Sequence, residues 1–158
     1  MKKTLVLFTI LITGFFCTEL TAQIRFGLNL NIGSQPIWGP TGYDHVSYYY
    51  LPDIDAYYNV SSRQYIYNQR GQWIFSSSLP MRYRNYDLYS GYKVVVNEPR
   101  PYLHAQAYRD KYAGFKGNHS QEVIRNSHEQ KYLENKNHPE HNKWQGNQGK
   151  RGDERDHH

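Results

Sequence analysis

Apolar and polar residues alternate without a break from Ile24 to Ile32. Ile24, Phe26, Leu28, Leu30 and Ile32 fall on one side, and Arg25, Gly27, Asn29 and Asn31 on the other. Period two over nine residues predicts a strand with one buried and one wet face. Gly33-Ser34-Gln35-Pro36 ends it, and Trp38-Gly39-Pro40-Thr41-Gly42-Tyr43 reads as a turn-rich connector. Three short segments rich in aromatic and β-branched residues follow, at 55–60, 64–68 and 72–77. Ser61-Ser62-Arg63 and Gln69-Arg70-Gly71 separate them, the second with a glycine where a hairpin needs positive φ. The pattern predicts a three-stranded antiparallel meander. Tyr92-Lys93-Val94-Val95-Val96 reads as a further strand. Arg82 to Tyr89 fits a short helix or a turn segment, and Pro99 and Pro101 break regular structure. A three-stranded sheet is near the minimum for independent stability, so it needs a cover. The Ile24–Ile32 strand or a C-terminal helix would supply it.

The two ends of the chain differ from this middle. Met1-Lys2-Lys3, an uncharged apolar run from Thr4 to Phe16, and Thr21-Ala22 follow the order of a secretory signal peptide. The run is too short to span a bilayer, which takes ~20 residues. Phe15 and Phe16 stand before Cys17 where lipoprotein processing wants small residues, so Cys17 reads as part of the leader. Cleavage after Ala22 would leave no cysteine and a net charge of +4, from 17 basic and 13 acidic residues. From Lys116 onward large apolar residues become rare, and six of the eight histidines lie there. Ser120 can cap a helix over 120–135, with Ile124, His128 and Tyr132 on one face. Beyond Asn137 too little apolar surface remains to offset the entropy of ordering, ~1–2 kcal/mol per residue.

The expected protein is mainly β: a small antiparallel meander of three to five strands, a C-terminal helix and a disordered tail. Its expected parts are a signal peptide at 1–22, a Tyr-rich β domain at 23–115, a linker with a helix at 116–136, and a polar His-rich tail at 137–158.

Trp38-Gly39-Pro40, the run Tyr48-Tyr49-Tyr50-Leu51-Pro52-Asp53-Ile54-Asp55, and Leu79-Pro80 followed by Arg82-Tyr83-Arg84-Asn85-Tyr86-Asp87-Leu88 form a recognisable set. In these motifs the chain resembles a group of small exported proteins of Gram-negative gliding and gut-type bacteria. The resemblance covers about Gln35 to Leu103. It implies export by a signal peptide and a variable His-rich polar tail, and it implies no catalytic residues.

Four groups of residues are candidates for chemistry. With no cysteine left after the expected cleavage, and without a Gly-x-Ser-x-Gly elbow, no nucleophile stands out. Asp53 and Asp55 at i, i+2 would point to one side of an extended chain, as acid/base work needs. Aspartates at a turn after Pro52 more often bond nearby backbone N–H groups, and that reading is favoured. Asp44, His45 and His104 complete the polar candidates for a small hydrolase or metal-dependent enzyme. His138, His141, His157 and His158 would bind divalent metal loosely, because structural zinc wants four ligands and usually cysteine.

Aromatics are the most informative group, since twelve of the sixteen tyrosines fall between Tyr43 and Tyr92. Tyr65 and Tyr67 share one side of their strand, and Trp73 and Phe75 share one side of theirs. All four together would form a ladder on one sheet face, open to sugars or a partner surface. Cross-strand packing under a cover is the favoured alternative for so thin a sheet.

The expected function is that of an exported, periplasmic or extracellular, non-catalytic envelope protein. It is expected to bind a glycan, a lipid headgroup or another envelope protein, with no cofactor, no nucleic-acid partner and no membrane span after cleavage. An enzyme using the Asp and His candidates is the alternative, and loose metal binding by the tail is the second.

Overall fold

A computed structural model describes residues 30–145. The protein is mainly β. The five strands among the described residues are β1 (Tyr48–Leu51), β2 (Ala56–Asn59), β3 (Gln64–Gln69), β4 (Gln72–Ser76) and β5 (Val94–Val96). All neighbours are antiparallel, in the order β4-β3-β2-β1-β5. The expected meander is β2-β3-β4. The β3–β4 loop is two residues rather than three, because Gln69 stays paired with Gln72. Arg70 and Gly71 take φ of 53° and 84°, the double positive φ of a type I′ turn whose twist matches the strands.

β1 was not expected as a strand. Its four residues Tyr-Tyr-Tyr-Leu show no alternation, because the strand is covered on both faces and paired on both edges. The segment from Ile24 to Asn29 lies outside the described residues. Ile32, its last apolar position, begins a 3-10 turn, Ile32–Ser34, instead of ending a strand.

Register decides which side chains share a face. Tyr50, Tyr57, Ile66, Val94 and Val96 line the first face. Helix α1 (Ala105–Lys111) lies on them through Ala105 and Tyr108. Pro101 opens the 3-10 turn Pro101–His104 that leads into α1, so the proline starts a helix here. Tyr49, Leu51, Ala56 and Tyr65 line the second face. It is covered by Trp38 and Val46 from the N-terminal arm and by Leu79, Tyr83, Tyr86 and Leu88 from the β4–β5 connection.

Two buried tyrosines separate packing from hydrogen bonding. Tyr49 donates to Gln35 Oε1 at 3.0 Å. The Tyr57 hydroxyl is buried with no partner among the described residues. An orphaned buried hydroxyl costs about 1–3 kcal/mol. Tyr57→Phe is therefore expected to raise stability by about 1–2 kcal/mol, and Tyr49→Phe to lower it by about 1 kcal/mol. Urea unfolding of both variants at neutral pH checks the opposite signs.

The C-terminal part departs from expectation. Residues 120–129 are not α-helical. Val123 bridges Pro40, and Ile124 and Arg125 donate to Gly39 O and Ile37 O, both at 2.8 Å. Those long-range bonds satisfy backbone groups that a helix would have used. Only a 3-10 turn, Ile124–Asn126, and α2 (Gln130–Leu133) are helical across this stretch. Residues 137–145 are folded rather than disordered, with His138 and His141 both buried. Asn135 holds this end down: fully buried, it donates to Gln35 O at 2.6 Å and Ile32 O at 3.3 Å. The Tyr132 hydroxyl accepts from Gly42 N at 2.6 Å.

Candidate functional site

The aromatic ladder does not exist as one surface. Tyr65 pairs with Ser76 and Tyr67 with Ile74, while Trp73 pairs with Asn68 and Phe75 with Ile66. Cross-strand partners share a face, so Tyr65 and Tyr67 lie on the second face, and Trp73 and Phe75 on the first. Spacing within each strand was read correctly. The offset between strands was set by the two-residue turn, one residue shorter than expected, and a one-residue slip flips every side chain.

The first face is only partly roofed. Five strands span roughly 19 Å at ~4.8 Å per neighbour, and one helix is ~10–12 Å across. α1 therefore leaves a margin on each side. On the β4 side Phe75 stands half exposed, edge-on to Tyr102 at 5.5 Å, with Trp73 also 5.5 Å from Tyr102. On the β5 side there is a cleft of about 420 Å³. That lies within the ~300–1,000 Å³ range of small-molecule sites.

His104, Ala107, Tyr108, Lys111 and Tyr112 form the helix wall of this cleft. Their spacing of i, i+3, i+4, i+7, i+8 puts them on one stripe. Ala107 makes the hollow, because a larger side chain at the middle of the stripe would fill it. The opposite wall comes from the end of β5, where Val96, Asn97 and Glu98 line it. Tyr108 and Tyr112 stack with centroids 6.0 Å apart at 24°. Tyr108 donates to Glu98 Oε2 at 2.9 Å. Burial and that carboxylate hold its hydroxyl above the ordinary tyrosine range, so it stays a donor. Lys111 Nζ lies 5.2 Å from the Tyr112 ring centroid. The cleft thus has an aromatic wall and a rim holding a carboxylate, an imidazole and an ammonium. It can hold a ring on the tyrosines and bond both donors and acceptors at the edge.

The other sequence candidates lie elsewhere and have structural partners. Asp53 accepts from Tyr86 Oη at 2.8 Å and Gly117 N at 2.7 Å. Asp55 accepts from Arg109 Nε at 2.9 Å and Tyr50 Oη at 3.3 Å. The bonds from Tyr86, Arg109 and Gly117 reach far along the chain rather than to nearby backbone, and they pin the β1–β2 turn to three other segments. Asp44 pairs with Lys131 at 3.0 Å. His45 contacts Ser47 Oγ at 3.1 Å.

Comparison with protein-family models, curated proteins and solved structures finds no match.

His138 and His141 are built into the fold. A carbonyl only accepts, so His138 Nε2 donates to Ser127 O at 3.1 Å, leaving Nδ1 to accept from Glu140 N at 3.1 Å. His141 Nδ1 donates to Leu133 O at 2.7 Å, and its ring stacks on Trp144. Among the described residues no three His, Cys, Asp or Glu gather closely enough to hold a metal ion. His157 and His158 lie outside the described residues. No described helix is long and apolar enough to cross a membrane.

Lys93 was not singled out by sequence. It is 1% exposed, and Nζ donates to Leu88 O at 3.0 Å and Tyr89 O at 3.5 Å. Burial pushes its ammonium down to about 8. Glu98 was also missed, as was the stripe from Ala107 to Tyr112 that joins His104 in the cleft. The signal was present: an acid two residues after a strand of three valines, and helical spacing that starts just past the second proline.

Proposed function

We propose that this is an exported, non-catalytic binding module of the cell envelope, and that the cleft between α1 and β5 takes a sugar unit of an envelope glycan. The observation that carries the reading is the stacked Tyr108–Tyr112 wall facing a rim of mixed donors and acceptors. Sugars present apolar ring faces and hydroxyls that both give and take hydrogen bonds, so they suit such a site. Export is supported by the leader-like order of residues 1–22. A binding role is supported by the commitment of Asp44, Asp53 and Asp55 to structural bonds.

Titration with soluble N-acetylglucosamine oligomers, followed by NMR and calorimetry, tests it. Shifts should cluster at 96–98 and 104–112. Ala107→Leu fills the hollow and should abolish binding with the fold intact, since Ala107 is exposed and leucine suits a helix. Tyr112→Ala should weaken binding about tenfold, or ~1.4 kcal/mol. Unchanged affinity in Ala107→Leu would place the ligand elsewhere.

A second reading has one observation behind it. His104 and Glu98 line the same cleft, as a hydrolase would need. Turnover of nitrophenyl esters or glycosides that disappears in both His104→Ala and Glu98→Gln would favour it.

A further inference from the structure

We propose that two copies of this chain pair edge to edge through β4, joining their sheets into one ten-stranded antiparallel sheet. Among the described residues β4 has a neighbour on one side only. The type I′ turn fixes which of its backbone groups are free. Gln69 and Gln72 flank a two-residue loop and form a hydrogen-bonded pair, so bonding to β3 falls at Gln72, Ile74 and Ser76. The N–H and C=O groups of Trp73 and Phe75 therefore point out from the free edge.

Edge strands are usually guarded by charge, proline or a bulge. Here the eleven residues from Gly71 to Met81 hold no charged residue and no histidine, and proline comes only at Pro80, past the strand. The opposite edge is treated differently. Beside β5, the Gln121 side chain takes the Lys93 N–H and C=O, both at 2.9 Å.

A second copy fits this edge for two reasons. The chain carries a net +5, yet the edge is neutral, so two like-charged copies meet there without opposed charges. The strand also complements itself. A two-fold axis through Ile74 sets Trp73 of each copy opposite Phe75 of the other. Each such pair exchanges two backbone bonds, so all four outward groups of each copy are satisfied. The half-exposed Phe75 ring gains an aromatic neighbour across the axis. Ile74 meets its own copy as the central, non-hydrogen-bonded pair.

Analytical ultracentrifugation of the full chain should show the mass double as concentration rises. Ile74→Lys and Ile74→Glu each place like charges opposite one another on the axis and should sediment as monomers with unchanged far-UV circular dichroism. Mixing the two in equal amounts should restore the dimer. Ile74→Cys in a Cys17→Ser background gives a milder test. The central Cα atoms would be about 4.5 Å apart, within disulfide range, so oxidation should give a covalent dimer. A monomer at every concentration would overturn the proposal, including one whose edge is taken by its own residues ahead of Leu30. So would an Ile74→Lys variant as dimeric as the parent, an equal mixture that stays monomeric, or no disulfide in the cysteine variant.

Discussion

Stability is expected to climb gently from pH 8 to about pH 10 and then to collapse within about one further pH unit. Two residue types with opposite signs produce this shape. Lys93 titrates near 8 in the fold and at 10.5 when exposed. Between those values the unfolded chain holds a proton that the native state has released, so stability rises with pH. The full difference is about 3 kcal/mol, at ~1.4 kcal/mol per pH unit. The tyrosines act the other way. Burial raises Tyr49, Tyr50, Tyr57, Tyr58, Tyr65, Tyr86 and Tyr108 above 10, Tyr65 to about 12. Above pH 10 the unfolded chain loses these protons while the native state keeps them. Seven groups give a limiting slope of about −10 kcal/mol per pH unit, enough to exhaust a typical stability of ~5–15 kcal/mol quickly. Urea unfolding across this range, read with tyrosinate absorbance, checks both limbs. Lys93→Met should flatten the first limb and leave the second. A loss of stability from pH 8 to pH 10 in the parent would contradict the assignment to Lys93.

Gly91→Ala is expected to cost about 3 kcal/mol, large for the addition of one methyl group. A Cβ at position 91 would overlap the hydroxyl and ring of Tyr86. Tyr86 cannot yield without losing its bond to Asp53, and Asp53 also holds Gly117 N. The added methyl therefore loosens the β1–β2 turn and the chain after α1 together. The cost comes from both overpacking and a broken buried hydrogen bond. A double-mutant cycle separates this from any general effect of alanine. In a Tyr86→Leu background, Gly91→Ala should cost less than 1 kcal/mol, because the clash has gone. Equal costs in both backgrounds would show that Tyr86 is not the obstacle.

Local chemistry explains which parts of the structure were readable in advance. β2, β3 and β4 announce themselves by short aromatic runs and by turn residues between them, and Gly71 marks the hairpin. β1 was invisible because burial on both faces removes the alternation by which a strand is recognised. α1 was hidden behind Pro99 and Pro101, which signal a break when they stand inside a helix and a start when they stand before one. The order of residues 137–145 has no local cause. It depends on Asn135 bonding to carbonyls about a hundred positions earlier, and composition carries no trace of that. The cleft follows the same division. His104 was legible as one of two histidines outside the tail. Glu98, Ala107, Tyr108 and Lys111 became a site only once α1 was laid across β1 and β5.

The bond between Asn135 and Gln35 also has a meaning in time. A chain emerges from the ribosome, or from an export channel, with its N-terminal end first. The sheet needs nothing beyond Val96, so its strands can pair while the rest is still arriving. The arm from Asn31 to Val46 cannot be secured so early. Its Gln35, Gly39, Thr41 and Gly42 partners lie at Asn135, Ile124, Glu122 and Tyr132. The first described segment to appear is thus the last to settle. Until synthesis is nearly complete, the arm that carries Trp38 and Val46 rests on the sheet by its own packing and the Tyr49–Gln35 bond, without its C-terminal anchors.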